Sequence, residues 1–408
     1  MKKHLEIISF VIATVILTLA IAGCSTALKG ISLPKEFSME VGSFATLEVT
    51  FNPENATNKE VVFSIDDSDI ASVNEKSGRI LGLKVGETCV NAVSKDGNFI
   101  STCILKITER TTPYEYENIF GQKGGVEYVS QIFIPDKAII DKWQPVPTAL
   151  VNEENGNMTY WSDCKIWYPK DIAVSTKTYP VIAYSNGSGC DYDTVDEKVD
   201  VIGMLEHFAS WGFIVVANDQ MNDGQGTAIM GSIDYILSEN KREGSIFYNK
   251  INENQIGVSG GSQGGAGAIN AAYKFELSNK ISSLCTLSAV MDDFNTAFGW
   301  FDTKFNYSKI EVPYFMVAGT GNSDDGILIP LAEFNKNFDA CTNAYTVKAR
   351  VLGAEHGEMS TTGRGYLTAW FLYTLTGNET AAKIFTGEYP EIVVNHRWVD
   401  VGIKGERK

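Results

Sequence analysis

Residues 257–265 read Gly-Val-Ser-Gly-Gly-Ser-Gln-Gly-Gly, and Gly260-Gly261-Ser262-Gln263-Gly264 within them has the spacing of a nucleophile elbow. A serine at a sharp strand-to-helix turn is held in strained backbone geometry, so its hydroxyl stands clear of the sheet. The residues two before and two after it must be small, or strand and helix collide. That hydroxyl needs a base to take its proton. Of four histidines, His4 falls in a leader-like start, His207 in a helical pattern and His396 in the C-terminal tail. His356, in Gly353-Ala354-Glu355-His356-Gly357, remains as the base. A carboxylate must hold its tautomer. The stretch Gly319-Thr320-Gly321-Asn322-Ser323-Asp324-Asp325 offers two, Asp324 and Asp325, with Asp292 and Asp293 as minor candidates. Negative charge developing on a carbonyl oxygen needs N–H donors. The expected ones are the backbones of Gln263 and of Ser188, in the loop Ser185-Asn186-Gly187-Ser188-Gly189. Such chemistry runs through an acyl-enzyme and needs no cofactor; no C-x-x-C pair or histidine cluster suggests a metal.

The elements that must carry these groups surround them. Gln255-Ile256-Gly257-Val258 is a short apolar run before the elbow, and Ala266 to Tyr273 is an Ala-rich, helix-favouring run after it. Residues 181–184, 213–217, 314–318 and 347–352 are near-continuous apolar runs, the pattern of strands covered on both faces. Helical stretches at 201–211, 228–240, 264–276, 328–338 and 365–376 lie between them. The alternation predicts an α/β domain over about 115–395, a doubly wound, mostly parallel sheet. His356 then lies on the loop after the last strand run, and the Asp pair at the carboxyl end of strand 314–318.

Residues 30–110 have a different pattern. Short alternating runs at 45–50, 61–65 and 104–107 are broken by turns such as Asp66-Asp67-Ser68-Asp69 and Asp96-Gly97, which predicts an all-β sandwich. Residues 111–126 read as a linker. Cys89 and Cys103 bracket a hairpin turn signal, so they are placed to face each other across two strands. At the start, Lys2 and Lys3 lead into an apolar run from Ile7 to Ala22 that ends in Ala22-Gly23-Cys24, an export signal over 1–24. The run is marginal for a permanent membrane span. A net charge of −16 argues against nucleic acid and anionic surfaces as partners.

Several resemblances sharpen these expectations. Ala22-Gly23-Cys24 resembles a bacterial lipobox, which implies lipid on the Cys24 thiol and an exported protein held at the outer face of the cell membrane. Val41-Gly42, Pro53, Asn55-Ala56-Thr57, Ile70-Ala71-Ser72-Val73, Gly78, Leu81-Gly82 and Val85-Gly86-Glu87-Thr88 resemble the bacterial immunoglobulin-like domain of group 2. Phe63 stands where that family usually has tryptophan, and the resemblance implies a spacer or adhesive module. Pro180 to Gly187, Phe208 to Val216, the elbow and His356-Gly357 resemble the dienelactone hydrolase, chlorophyllase and cutinase-type polyester hydrolase branch of α/β-hydrolases. The order Ser262, Asp325, His356 is the order of that fold. The resemblance favours Asp325 over Asp324, because in relatives the acid precedes a short stretch leading to a proline, here Pro330. It departs at Gly261, where relatives often carry a bulkier residue such as histidine, and in the long segment 294–306 with Trp300, which would wall an acyl pocket or form a surface insertion. The expectation is a surface-anchored serine carboxylesterase acting on an ester-containing small molecule, lipid, polysaccharide or polyester. A serine peptidase or acyltransferase on the same fold, or a non-catalytic adhesin, is the alternative.

Overall fold

The computed structural model describes residues 26–147, 152–154, 158–195, 199–292 and 304–407. The leader with Cys24, Asp293 and most of the segment 294–306 lie outside these residues. The chain divides into two compact units, one ending at Thr112 and one beginning at Pro113.

The first unit is all-β. A four-stranded sheet orders β2 (Glu36–Glu40), β9 (Ile100–Thr108), β8 (Gly86–Ser94) and β5 (Val61–Ile65). A three-stranded sheet orders β3 (Phe44–Thr46), β7 (Arg79–Gly82) and β6 (Ala71–Val73), and β1 (Gly30–Ser32) pairs with β4 (Thr50–Asn52). The inward positions alternate as a half-buried sheet requires: Val90 and Ala92 of β8 meet Cys103, Leu105 and Ile107 of β9 in one core. Phe63 supplies the large aromatic of that core, its ring so close over Gly78 that a Cβ there would stand 2.6 Å away. The cysteine expectation fails by one residue of register. Cys103 lies opposite Val90, whereas Cys89 lies opposite Ile104, so the two thiols point to opposite faces of the sheet; both are free.

Among the described residues of the second unit, nine strands form one sheet. Their order is β10 (Tyr128–Phe133), β11 (Cys164–Pro169), β13 (Ile214–Asn218), β12 (Tyr179–Ser185), β14 (Ile251–Gly261), β15 (Ile281–Leu287), β16 (Tyr314–Gly319), β17 (Thr346–Val351) and β18 (Trp398–Lys404). Neighbours from β13 to β17 are parallel, and β10, β11 and β18 pair antiparallel. Alternate residues of the central strands feed two cores. Val181, Ala183, Ile214 and Val216 meet the helices Thr227–Lys241 and Gln263–Tyr273 on one face. Ile182, Tyr184, Val215 and Ala217 meet the helices Val201–Ser210 and Arg364–Thr376 on the other. A strand buried on both faces favours apolar residues at successive positions, which is why β13 reads Ile-Val-Val-Ala before its buried, hydrogen-bonded Asn218. This is the doubly wound architecture of an α/β-hydrolase. Two details differ from the sequence expectation. The linker residues Glu115–Gly121 are helical, with Phe120 buried in the second core, and β18 extends the sheet beyond residue 395.

Candidate active site

The six parallel strands bring their carboxyl ends toward one rim, and the expected residues lie on the loops that leave it. β14 ends at Gly261, and the helix Gln263–Tyr273 begins two residues later. Ser262 between them has φ 53° and ψ −123°, a left-handed backbone that a residue with a Cβ adopts only under strain. Its neighbours explain the glycines. A Cβ on Gly260 would stand 2.2 Å from the Gly264 carbonyl oxygen, and one on Gly264 would stand 2.1 Å from that of Ser185. Strand, turn and helix therefore meet with no room for side chains at those two positions.

The Ser262 hydroxyl lies 2.9 Å from His356 Nε2, and His356 Nδ1 lies 2.6 Å from Asp324 Oδ1. The carboxylate nearest the imidazole is thus Asp324, and the expectation of Asp325 is corrected. A short helical turn, Asp324–Leu328, begins at this pair. Successive residues of such a turn point in different directions. Asp324 points inward and is fully buried, while Asp325 points outward and pairs with Arg350 Nη1 at 2.5 Å. Arg350, on β17, also holds Asp400 of β18, so Asp325 ties the acid loop to the sheet edge. The second oxygen of Asp324 accepts from the Ser288 hydroxyl at 2.5 Å and from the Gly319 N–H at 2.7 Å. These bonds aim the other oxygen at the histidine. Asp292 is placed elsewhere, accepting from the Phe305 N–H.

Sequence reasoning missed the groups that fix this arrangement. Ser323 accepts from the His356 N–H at 2.8 Å, and its hydroxyl donates to Glu355. The Glu355 carboxylate also accepts from the Asn322 and Ser323 N–H groups, at 3.1 and 2.9 Å. The acid loop and the histidine loop are therefore clamped by side chains with no pattern along the chain to mark them.

On the opposite side of Ser262, the Ser188 hydroxyl donates to the Gln263 side-chain oxygen at 2.7 Å. Gly187 lies close enough that a Cβ there would stand 3.3 Å from Ser262 Cβ. The two expected oxyanion donors thus come from segments that are bonded to each other and adjacent to the nucleophile. Behind them, Asp223 Oδ2 accepts from the Ser185 hydroxyl at 2.8 Å, and the same carboxylate caps the helix Thr227–Lys241 through Ala228 and Ile229. Burial pushes its carboxyl up to about 6. His207 lies far from these groups, buried between Gln122 and Thr368. The arrangement can pass a proton from Ser262 to His356 while Asp324 balances the imidazolium that forms.

Residues 29–105 match the family described as bacterial Ig-like domain (group 2), and residues 146–338 match the family described as PET hydrolase-like. An uncharacterized protein of Clostridium acetobutylicum is 36% identical over 86 residues, which are 21% of this chain and 21% of that protein. An Ig-like virion protein of Serratia phage KSP90 is 33% identical over 91 residues, 22% of this chain and 35% of that protein. The chain therefore spans about a fifth and about a third of the length of these curated relatives.

Proposed function

We propose that this chain, in which a bacterial immunoglobulin-like domain precedes an α/β-hydrolase domain of the PET hydrolase-like family, is a serine carboxylesterase exported and held by lipid at the outer face of the cell membrane. The observation that carries the reading is the unbroken hydrogen-bond chain from Ser262 through His356 to buried Asp324. Ser262 Oγ attacks the ester carbonyl carbon as its proton passes to His356 Nε2. The oxyanion is met by the backbone N–H groups of Gln263, at a helix N-terminus, and of Ser188. The bond to the alcohol breaks as His356 returns the proton to the departing oxygen. Water, activated by the same histidine, then releases the acid and restores Ser262. The substrate is an ester-containing small molecule, lipid, polysaccharide or polyester. The immunoglobulin-like domain serves as spacer between the lipid on Cys24 and the catalytic domain.

A fluorophosphonate probe tests the chemistry. It is expected to label the wild type and to leave Ser262→Ala unlabelled, with ester turnover falling by several orders of magnitude. Labelling that survives the substitution would remove Ser262 from its role. Cys24→Ala tests the anchor: the protein should leave the membrane fraction while its esterase activity persists.

A further inference from the structure

A cavity of about 150 Å³ lies beside Ser262 and His356. Tyr184, Cys190, Val199, Val201 and Leu287 line it together with Gly261. These walls are largely apolar, Ser188, Ser262, His356 and Ser360 form the polar side, and the volume has room for a group about the size of benzene.

Gly261 differs from the other two glycines of the elbow. Gly260 and Gly264 are required because a Cβ would collide with backbone oxygens at 2.2 and 2.1 Å. A Cβ on Gly261 would stand 3.1 Å from the Tyr184 hydroxyl and 3.8 Å from the Leu287 carbonyl oxygen. Both residues line the cavity, so the missing side chain is one that would project into it. The Gly261 backbone does not lie in the left-handed region that favours glycine. Neither turn geometry nor a clash with backbone requires this glycine; the Tyr184 hydroxyl is the nearest contact a Cβ would meet, and a larger side chain would narrow the cavity beside Ser262. The wall opposite is held firmly. Asp200 caps the helix Val201–Ser210 by accepting from the Gly203 N–H at 2.8 Å, pairs with Arg364 at 2.7 Å and donates its own backbone N–H to the Ser360 hydroxyl at 3.0 Å.

We propose that this cavity seats one compact apolar substituent of the ester, up to about six carbons, and that Gly261 sets its upper size. The inference rests on the esterase reading above and adds the class of ester. Whether the seated group is the acyl chain or the alcohol is decided by two series assayed on the full chain. One varies the acyl chain of p-nitrophenyl esters from acetate through butyrate and hexanoate to decanoate. The other varies the alcohol of acetate esters from ethyl through butyl and benzyl to decyl. In the series that enters the cavity, kcat/KM should rise at least tenfold from the smallest member to the middle ones, on the scale of one added methylene in an apolar pocket, and fall for the longest. Gly261→Val should lower the ratio of middle to smallest ester by about tenfold or more, the smallest ester serving as internal reference. Val201→Ala, which widens the cavity, should move the optimum to a longer chain. Flat profiles in both series of an active wild type overturn the inference while leaving the esterase reading in place. So does a Gly261→Val ratio within twofold of wild type, or, if that variant does not fold, an unmoved optimum in Val201→Ala. A wild type inactive on every ester overturns both readings.

Discussion

Two adjacent aspartates with the same side chain receive different tasks from the direction in which a single helical turn points them. Asp324 is wrapped by Ser288, Gly319 and His356, whereas Asp325 reaches out to Arg350. Asp324→Asn should therefore cost about four orders of magnitude in turnover, the scale seen when an orienting carboxylate becomes an amide and the imidazole adopts the wrong tautomer. Asp325→Asn should keep at least a tenth of wild-type turnover. Steady-state kinetics of both variants on one short-chain ester checks the pair, and the reverse pattern would return the role to Asp325. The turn at Ser262 was readable because small residues at fixed offsets are a steric requirement of its geometry. The position of His356 beside Ser262 was readable because the sequence has so few histidines to choose from. The carboxylate beside it was not: spacing places both at the end of β16, and only contacts with residues remote in the chain, Ser288 and His356 for Asp324 and Arg350 for Asp325, tell them apart.

At the scale of elements, the strands recovered from sequence are those whose burial on both faces is met by a nearly unbroken apolar run. β15 escaped because it reads Ile-Ser-Ser-Leu-Cys-Thr-Leu. Its buried hydroxyls are matched across the core, Ser283 with Thr374 at 2.7 Å and Thr286 with Tyr314 at 2.9 Å. Polar residues are tolerated inside when partnered, and the partners lie on other elements. The antiparallel strands β10 and β18 carry many partly exposed positions, which blurs the pattern further. The packing of β12, β14 and the helix Gln263–Tyr273 is the element contact on which the site depends. Gly264→Ala forces a methyl against the Ser185 carbonyl at the end of β12. The expected cost is about 1–3 kcal/mol in urea denaturation, as for other overpacked cores, with turnover falling alongside because the loop carrying Ser188 must move. An unchanged denaturation midpoint would mean that the elbow has slack the distances do not show.

For the whole molecule, the buried His207 ties folding to acidity. Desolvation, reinforced by the nearby Arg364 charge, lowers its titration from 6.5 to about 4. The unfolded chain, with the ordinary value, takes up the proton first as pH falls. The stability His207 contributes is therefore complete above pH 6.5 and is lost as pH drops from there toward 4, on the order of 3 kcal/mol at the limit. His207→Gln should flatten that part of the stability profile, measured by denaturation at several pH values across the interval; an unchanged slope would assign the acid sensitivity to other groups. The left-handed backbone of Ser262 carries a different consequence. A conformation of this kind costs about 1–3 kcal/mol when a Cβ is present, and glycine adopts it freely. Ser262→Gly should thus melt a few degrees above the wild type while turning nothing over. The molecule would be hardier without its chemistry, and that inert, tougher form is the one in which an intact substrate could be caught and identified.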